Sequence, residues 1–179
     1  ATFRFHASDL LRLGAIFLVP LAWLSAGPAA AAAMALVAGG TCLLRYYAGS
    51  RAQDLTGQLV FISAGLFSMI GLYRIIWWLD LAVHLIVMAV VTVLIYDILV
   101  HRNGLTQRAS QAQQRNVAFV LLTYGSLAAV LWEVGEWAGY YLVSQEIGVG
   151  ILDSVTDILA GILGILGTVH WISSSRKFQ

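Results

Sequence analysis

The chain has 179 residues, of which 60% are hydrophobic and 11% are charged, and its mean hydropathy is +0.83. A soluble domain carries roughly 25% charged residues, so this composition excludes an ordinary soluble domain and predicts an integral membrane protein. The net charge of +1 gives no electrostatic basis for a nucleic-acid partner. The single cysteine, Cys42, excludes an internal disulfide and a CxxC metal site, and we expect it to be a small packing residue.

Six apolar stretches follow one another along the chain, each near the roughly 20 residues that a membrane-spanning helix needs. They lie at residues 10–26, 29–46, 56–74, 79–100, 116–142 and 150–172. The sequence Ser25-Ala-Gly-Pro28 predicts a tight turn between the first two stretches. We therefore predict an all-α fold, a polytopic transmembrane bundle of about six spans that forms a single domain over residues 1–179.

Basic residues in the connections predict the orientation of this bundle. Of the ten Lys and Arg residues, those on one side of a six-span arrangement are Arg4, Arg12, Arg45, Arg51, Arg102, Arg108, Arg115, Arg176 and Lys177. Arg74 alone falls on the other side. Because cytoplasmic loops carry an excess of Lys and Arg, both termini are predicted to be cytoplasmic, with residues 101–115 as the main cytoplasmic loop.

Three pairs of ionisable side chains interrupt the apolar stretches: Asp80 with His84, Glu133 with Glu136, and Asp153 with Asp157. On a helix, residues three or four positions apart lie on one face. At a rise of 1.5 Å per residue, all three pairs lie within roughly 15 Å of the outer boundary. Ionisable residues inside spans are energetically costly and mark functional sites. The sequence therefore predicts one polar site near the outer face of the membrane.

The charge of this site indicates a metal. Five carboxylates beside one nearby cation, Arg74, leave a charge of −4, and buried anions either take up protons or find a cation. Carboxylates with one imidazole suit Mg, Mn, Fe or Zn. The predicted ligands are Asp80, His84, Glu133, Glu136 and Asp157. One further carboxylate, Asp153, is predicted to be the general base in metal-assisted chemistry. The alternative to a metal site is proton-coupled chemistry at the same carboxyl groups.

Structural roles stay open for individual members of these pairs. A histidine on an apolar helix, such as His84, is usually a structural residue with satisfied hydrogen bonds. Asp80 is also placed to cap the fourth span, and Asp153 to stabilise the N-terminus of the sixth. Haem is not expected, because the two histidines at matched depth, His101 and His170, both sit at a membrane boundary.

Neighbouring residues give weaker signals. Trp132 and Trp137 flank the glutamate pair, where they either wall it from lipid or serve in ordinary packing. Gly161 and Gly164 lie near the face that carries Asp157, and small residues there allow a close approach between helices.

The segments that carry the pairs resemble those of a known family. WWLDLAVHL, LWEVGEWAGYYL and LDSVTDILAGILG resemble the D-x-x-x-H, W-E-x-x-E-W and D-x-x-x-D segments of the YjdF-like bacterial inner-membrane proteins, in the same order over residues 77–167. VanZ-like proteins are similar in a looser way. The resemblance implies a multi-pass protein of the bacterial inner membrane. It brings no reaction, because the YjdF-like family is itself of unknown function.

We expect the site to act in hydrolytic or transfer chemistry on a lipid-linked or amphipathic substrate in the bilayer, although composition does not decide whether the protein is an enzyme. Two alternatives stay open. A proton- or cation-coupled transporter needs a polar path to the cytoplasmic side, for which the sequence offers Thr92, Asp97, Thr123 and Tyr124. A non-catalytic accessory subunit, bound to other membrane subunits, suits the small size and short loops.

Overall fold

The computed structural model describes residues 5–103, 111–145 and 147–175, and these residues contain helices and no strand. The helices are α1 (Asp9–Tyr47), α2 (Arg51–Met69), α3 (Leu72–Ile75), α4 (Leu79–Asn103), α5 (Gln111–Leu142) and α6 (Ile151–Ser175). The chain divides into two compact units, Ala1–Trp77 with α1 to α3 and Trp78–Gln179 with α4 to α6. The prediction of an all-α protein is confirmed.

Within the described residues, four helical segments are long and apolar enough to cross a membrane: Asp9–Tyr47, Leu79–His101, Arg115–Leu142 and Ile151–Ser174. The last three correspond to the predicted stretches 79–100, 116–142 and 150–172. The first contains both of the stretches predicted before residue 47.

The first of these, α1, consists of two helical segments joined by a reversal. Gly27 leaves the helical conformation with φ 86° and ψ −175°, a backbone region that glycine adopts without steric cost. The Arg45 Nε atom lies 3.0 Å from Asp9 Oδ1, whereas a straight helix would hold these residues about 54 Å apart. The two segments therefore run antiparallel as a helical hairpin, and the predicted turn at residues 25–28 is confirmed.

Glycines of the first unit let its helices pack closely. A Cβ added at Gly65 of α2 would lie 2.9 Å from Met34 Cε, and one added at Gly40 would lie 2.9 Å from Phe61 Cε2. Such distances are shorter than ordinary van der Waals contact. The second segment of α1 and α2 thus pack through positions that leave no room for a larger side chain.

The predicted span 56–74 is wrong in its bounds. Its helix, α2, begins earlier, where the Ser50 side chain accepts a hydrogen bond from the backbone N–H of Gln53 as an N-cap. It ends at Met69, because the chain turns through Gly71, whose φ of 72° is left-handed. The polar residues of its first two turns keep α2 outside the set of helices apolar enough to cross a membrane.

Two smaller predictions also need correction. Cys42 is exposed rather than packed, because it falls beside the buried stripe of α1 and not on it. The predicted loop 101–115 is shorter, since α4 continues to Asn103 and α5 begins at Gln111. The basic residues Arg4, Arg108, Arg176 and Lys177, used to predict the orientation, lie outside the described residues.

In the second unit, α6 packs against both α4 and α5. The buried apolar core is formed by Met88, Val117, Leu121, Ala129, Ile165, Val169 and Ile172. A Cβ at Gly161 would lie 3.0 Å from Met88 Cγ, and one at Gly164 would overlap the backbone carbonyl oxygen of Leu85. The predicted close approach at these two glycines is confirmed, and it brings the first turns of α6 beside the first turns of α4.

Candidate metal centre

One end of the second unit collects the ionisable residues. Asp80 and His84 lie in the first two turns of α4, Glu133 and Glu136 lie in the last third of α5, and Asp157 lies in the second turn of α6. The connection between α5 and α6 is short, so the last turns of one and the first turns of the other lie at the same end. Three helices therefore deliver the residues to one place, as the sequence predicts.

His84 lies between two pairs of carboxylates. Its Nε2 atom lies 3.6 Å from Asp80 Oδ1, and its Nδ1 atom lies 3.7 Å from Glu133 Oε1. Two groups of three result: His84 with Asp80 and Asp157, and His84 with Glu133 and Glu136. Within each group, one ligand atom from every residue lies within 4.8 Å of the others. We call these five residues the acidic cluster.

The deepest carboxylates of the acidic cluster have unsatisfied oxygens. Glu133 and Asp157 are 4% and 1% exposed, and His84 is 7% exposed. Both Glu133 carboxylate oxygens and Asp157 Oδ2 are buried without a hydrogen-bond partner among the described residues. A buried polar atom without a partner costs about 1–3 kcal/mol. These oxygens are therefore available to a ligand that the protein itself does not supply.

The acidic cluster has no basic side chain paired with it in the part of the second unit that the structure describes. No arginine or lysine there forms an ion pair with any of its four carboxylates. Within the same residues, the charged partner that lies within 4 Å of the carboxylates is His84, which is a cation only when protonated. Four ionised carboxylates in a site of low dielectric need compensating positive charge.

An indole supports the acidic cluster from α5. Trp132 donates a hydrogen bond from Nε1 to Glu136 Oε1 at 2.9 Å, and its ring meets the His84 imidazole edge to face, with centroids 6.4 Å apart. Trp137 instead donates from Nε1 to the Ser154 hydroxyl of α6 at 3.0 Å. Of the two tryptophans that flank the glutamates, Trp132 therefore orients members of the cluster, and Trp137 links α5 to α6.

Asp153 lies at the exposed edge of the acidic cluster, close enough to Asp80 for the two charges to interact. It lies in the first turn of α6, one turn before Asp157, and it is exposed and belongs to neither group of three. The residues just before it, Ile151 and Leu152, are 80% and 78% exposed. Its carboxylate is therefore placed outside the buried cluster, next to an apolar surface.

The residues predicted to form a polar path do not line one route. Thr92 and Asp97 of α4 are buried, and Thr92 donates a hydrogen bond to the Met88 carbonyl oxygen at 2.7 Å. Thr123 and Tyr124 of α5 are exposed on the outer surface of the unit. This arrangement gives no support to a continuous pathway across the second unit, within its described residues.

The two histidines considered above as haem ligands, His101 and His170, are both exposed.

A buried ion network in the first unit was not predicted. Arg12 of α1 forms ion pairs with Asp9 and with Asp54 of α2, and Arg45 lies 3.0 Å from Asp9. Gln58, which is fully buried, donates a hydrogen bond to Asp54 Oδ1 at 3.1 Å. The i,i+3 spacing of Asp9 and Arg12 was the available signal. In the sequence, the basic residues at these helix ends are explained equally well by membrane topology. Their pairing with Asp9 and Asp54 depends on the reversal at Gly27, which brings the two ends of α1 together.

Comparison with known proteins identifies a family for the chain. A family model described as a predicted membrane protein, DUF2238, matches residues 10–177. The resemblance to the YjdF-like proteins is consistent with this family. No curated protein and no solved structure matches the chain.

Proposed function

Because the chain belongs to the DUF2238 family of predicted membrane proteins, a family of unknown function, we propose a function from the acidic cluster: it binds a divalent cation within the membrane. The observation that carries this proposal is Glu133, whose two buried oxygens have no hydrogen-bond partner within the bonding criteria among the described residues, while Oε1 lies 3.7 Å from His84 Nδ1. A metal ion would satisfy these oxygens and supply the missing positive charge.

The donor set narrows the choice of ion. Four carboxylates and one imidazole are hard to borderline ligands, which suit Mn, Fe(II), Zn or Mg and do not select soft ions such as Cu(I). Trp132 holds Glu136 through its indole N–H, and partners of this kind orient ligands and tune affinity.

The bound ion would serve hydrolytic or transfer chemistry on a lipid-linked or amphipathic substrate. Asp153 supports this proposal because it is an exposed carboxylate one helical turn from Asp157, beside the exposed side chains of Ile151 and Leu152. In this scheme Asp153 takes the proton of the attacking water or hydroxyl, the new bond forms at the ester or phosphoester centre, and the leaving group departs with a proton from solvent. The apolar surface would receive the hydrophobic part of the substrate.

The proposed setting is the bacterial inner membrane, with the acidic cluster toward the periplasm. The distribution of basic residues along the sequence supports this orientation. Other membrane subunits are potential partners in the same bilayer.

Metal content tests the binding proposal directly. Wild type, Glu133→Gln and Asp153→Asn would be purified in nanodiscs, incubated with Mn²⁺ or Zn²⁺, desalted and measured by inductively coupled plasma mass spectrometry. We expect wild type and Asp153→Asn to retain the same amount of metal and Glu133→Gln to retain less. Asp153→Asn is the matched control because it removes one carboxylate from the same end of the unit but from outside the cluster. Failure of wild type to retain any of the tested ions would refute the proposal.

The catalytic part needs a separate assay. Metal-loaded wild type and Asp153→Asn would be incubated with vesicles of bacterial lipid extract, and released headgroups and acyl chains would be measured by mass spectrometry. We expect release by wild type and a fall of about 100-fold or more in Asp153→Asn with its metal retained, as for loss of a general base. Retained metal without any turnover in wild type would reject the catalytic role and keep the binding site.

A further inference from the structure

The two nitrogens of His84 face different pairs of carboxylates. Nε2 lies 3.6 Å from Asp80 Oδ1, in the group that also contains Asp157, and Nδ1 lies 3.7 Å from Glu133 Oε1, in the group that also contains Glu136. The imidazole is the member shared by both groups. An imidazole offers its two nitrogens in directions that diverge across the ring, so one ion cannot bind both.

Each of the two groups has its own unsatisfied acceptor. In the Nε2 group the unsatisfied acceptor is Asp157 Oδ2, and in the Nδ1 group the unsatisfied acceptors are the two carboxylate oxygens of Glu133. These three oxygens are buried without a hydrogen-bond partner among the described residues. An ion bound at one group would leave the unsatisfied oxygen of the other group unchanged. The need for a cation is thus present on both sides of the ring.

From this arrangement we propose that the acidic cluster is a two-ion centre in which His84 bridges two divalent cations, one held by Asp80, Asp157 and Nε2 and the other by Glu133, Glu136 and Nδ1. The proposal rests on the metal-binding function proposed above and gives it a stoichiometry. Charge favours it: two divalent ions leave the four carboxylates and the deprotonated imidazole with a net charge of −1, whereas a single ion beside a neutral imidazole leaves −2. A ring that binds metal at both nitrogens has released its N–H proton to solvent.

The centre is built asymmetrically. Trp132 donates a hydrogen bond to Glu136 on the Nδ1 side, whereas Asp80 on the Nε2 side lies in the first turn of α4. The Nε2 ion would therefore lie nearer the beginning of α4 and the first turn of α6. An ion in the outer position is the one that a substrate near Asp153 would meet.

Stoichiometry tests the two-ion centre. Wild type in nanodiscs would be titrated with Mn²⁺, with bound metal counted by mass spectrometry and the Mn²⁺ signal followed by electron paramagnetic resonance. We expect two ions per chain, and an electron paramagnetic resonance signal broadened by coupling between neighbouring ions. One bound ion per chain in wild type would overturn the two-ion centre while leaving the binding function intact, and no bound ion would overturn both.

Variants on each side of the ring provide the second measurement. Asp80→Asn weakens the Nε2 group and Glu136→Gln weakens the Nδ1 group, and both residues are only partly buried, which limits the effect on folding. We expect each variant to keep one ion and to give the sharp six-line spectrum of an isolated Mn²⁺. If either variant loses both ions, or if both keep two, the division of ligands by His84 is rejected.

Discussion

The backbone of α6 at Gly164 lies against the carbonyl oxygen of Leu85 on α4, so close that a Cβ at this position would overlap the oxygen. This contact sets the spacing of the two helices two turns after Asp157 on α6 and directly after His84 on α4. Because the neighbour is backbone, it cannot move aside as a side chain could.

Gly164→Ala should therefore destabilise the second unit. Overpacking of this kind costs about 1–3 kcal/mol, and we expect a lower midpoint in thermal unfolding in detergent, followed by circular dichroism. Gly167→Ala is the control, because a Cβ there meets nothing within 4 Å and alanine favours the helix by about 0.5–1 kcal/mol. Equal midpoints for the two variants would contradict the packing described here.

Trp132→Phe should weaken metal binding without abolishing it. The substitution keeps an aromatic ring beside His84 but removes the N–H that donates to Glu136 Oε1. Loss of such a supporting hydrogen bond typically lowers metal affinity about 10–100-fold, which a competition titration with a chromophoric chelator would measure. Trp137→Phe removes an indole N–H that serves Ser154 and should leave the affinity within about threefold of wild type. An unchanged affinity in Trp132→Phe would show that this indole does not tune the site.

Removal of metal should destabilise the second unit. A ligand at 100 times its dissociation constant stabilises the folded state by about 2.7 kcal/mol. We expect chelation with EDTA to lower the thermal midpoint of wild type and restoration of Mn²⁺ to recover it. In Glu133→Gln both treatments should have smaller effects, because the substitution removes a ligand from one of the two groups. An equal response of the two proteins to Mn²⁺ would mean that the stabilising ion binds elsewhere.

Arg12→Met should be costly in the first unit. Arg12 is 5% exposed and pairs with both Asp9 and Asp54. Removing one partner from a buried ion network costs about 3–5 kcal/mol, because the remaining charges lose their compensation. Arg51→Met is the matched control, since Arg51 is exposed in the first turn of α2. Proteolysis of the detergent-solubilised proteins over a temperature series would rank their stabilities, and similar ranks would argue against a structural role for the network.

The proposed orientation predicts a labelling pattern. In a Cys42→Ser background, Gly148→Cys places a thiol in the connection between α5 and α6, where a Cβ meets nothing within 4 Å. A membrane-impermeant maleimide should label this thiol in intact cells whose outer membrane has been permeabilised. Ala109→Cys, in the segment predicted to be cytoplasmic, should be labelled only after lysis. The reverse pattern would invert the orientation and move the acidic cluster to the cytoplasmic side.

The sequence was sufficient to predict the membership of the acidic cluster. Charged residues are rare in spans, so Glu133 and Asp157 are conspicuous in any apolar stretch, and helical spacing pairs each with a neighbour. A close approach of another helix to α6 was equally readable, because Gly161 and Gly164 lie near one face, but the glycines did not identify α4 as the partner. These inferences depend on local periodicity alone.

The features that the sequence did not predict depend on how the helices pack and where the backbone turns. Spacing pairs Asp153 with Asp157, but the shared face does not reveal that Asp153 is exposed while Asp157 is buried. Likewise, no spacing assigns the two nitrogens of His84 to different carboxylates, because those carboxylates come from three helices. The early end of α2 depended on the left-handed backbone of Gly71, and a glycine in an apolar stretch is also compatible with an unbroken helix.

The reversal at Gly27 has a consequence for how the chain threads the bilayer. Each segment of α1 has roughly 20 residues, enough to cross the hydrocarbon core, and the contact between Asp9 and Arg45 brings its two ends together. The start of the chain and the link between α1 and α2 consequently share one compartment, whichever that compartment is. A reporter domain fused before Asp9 would therefore register the same side of the membrane as a protease site inserted at residues 48–50.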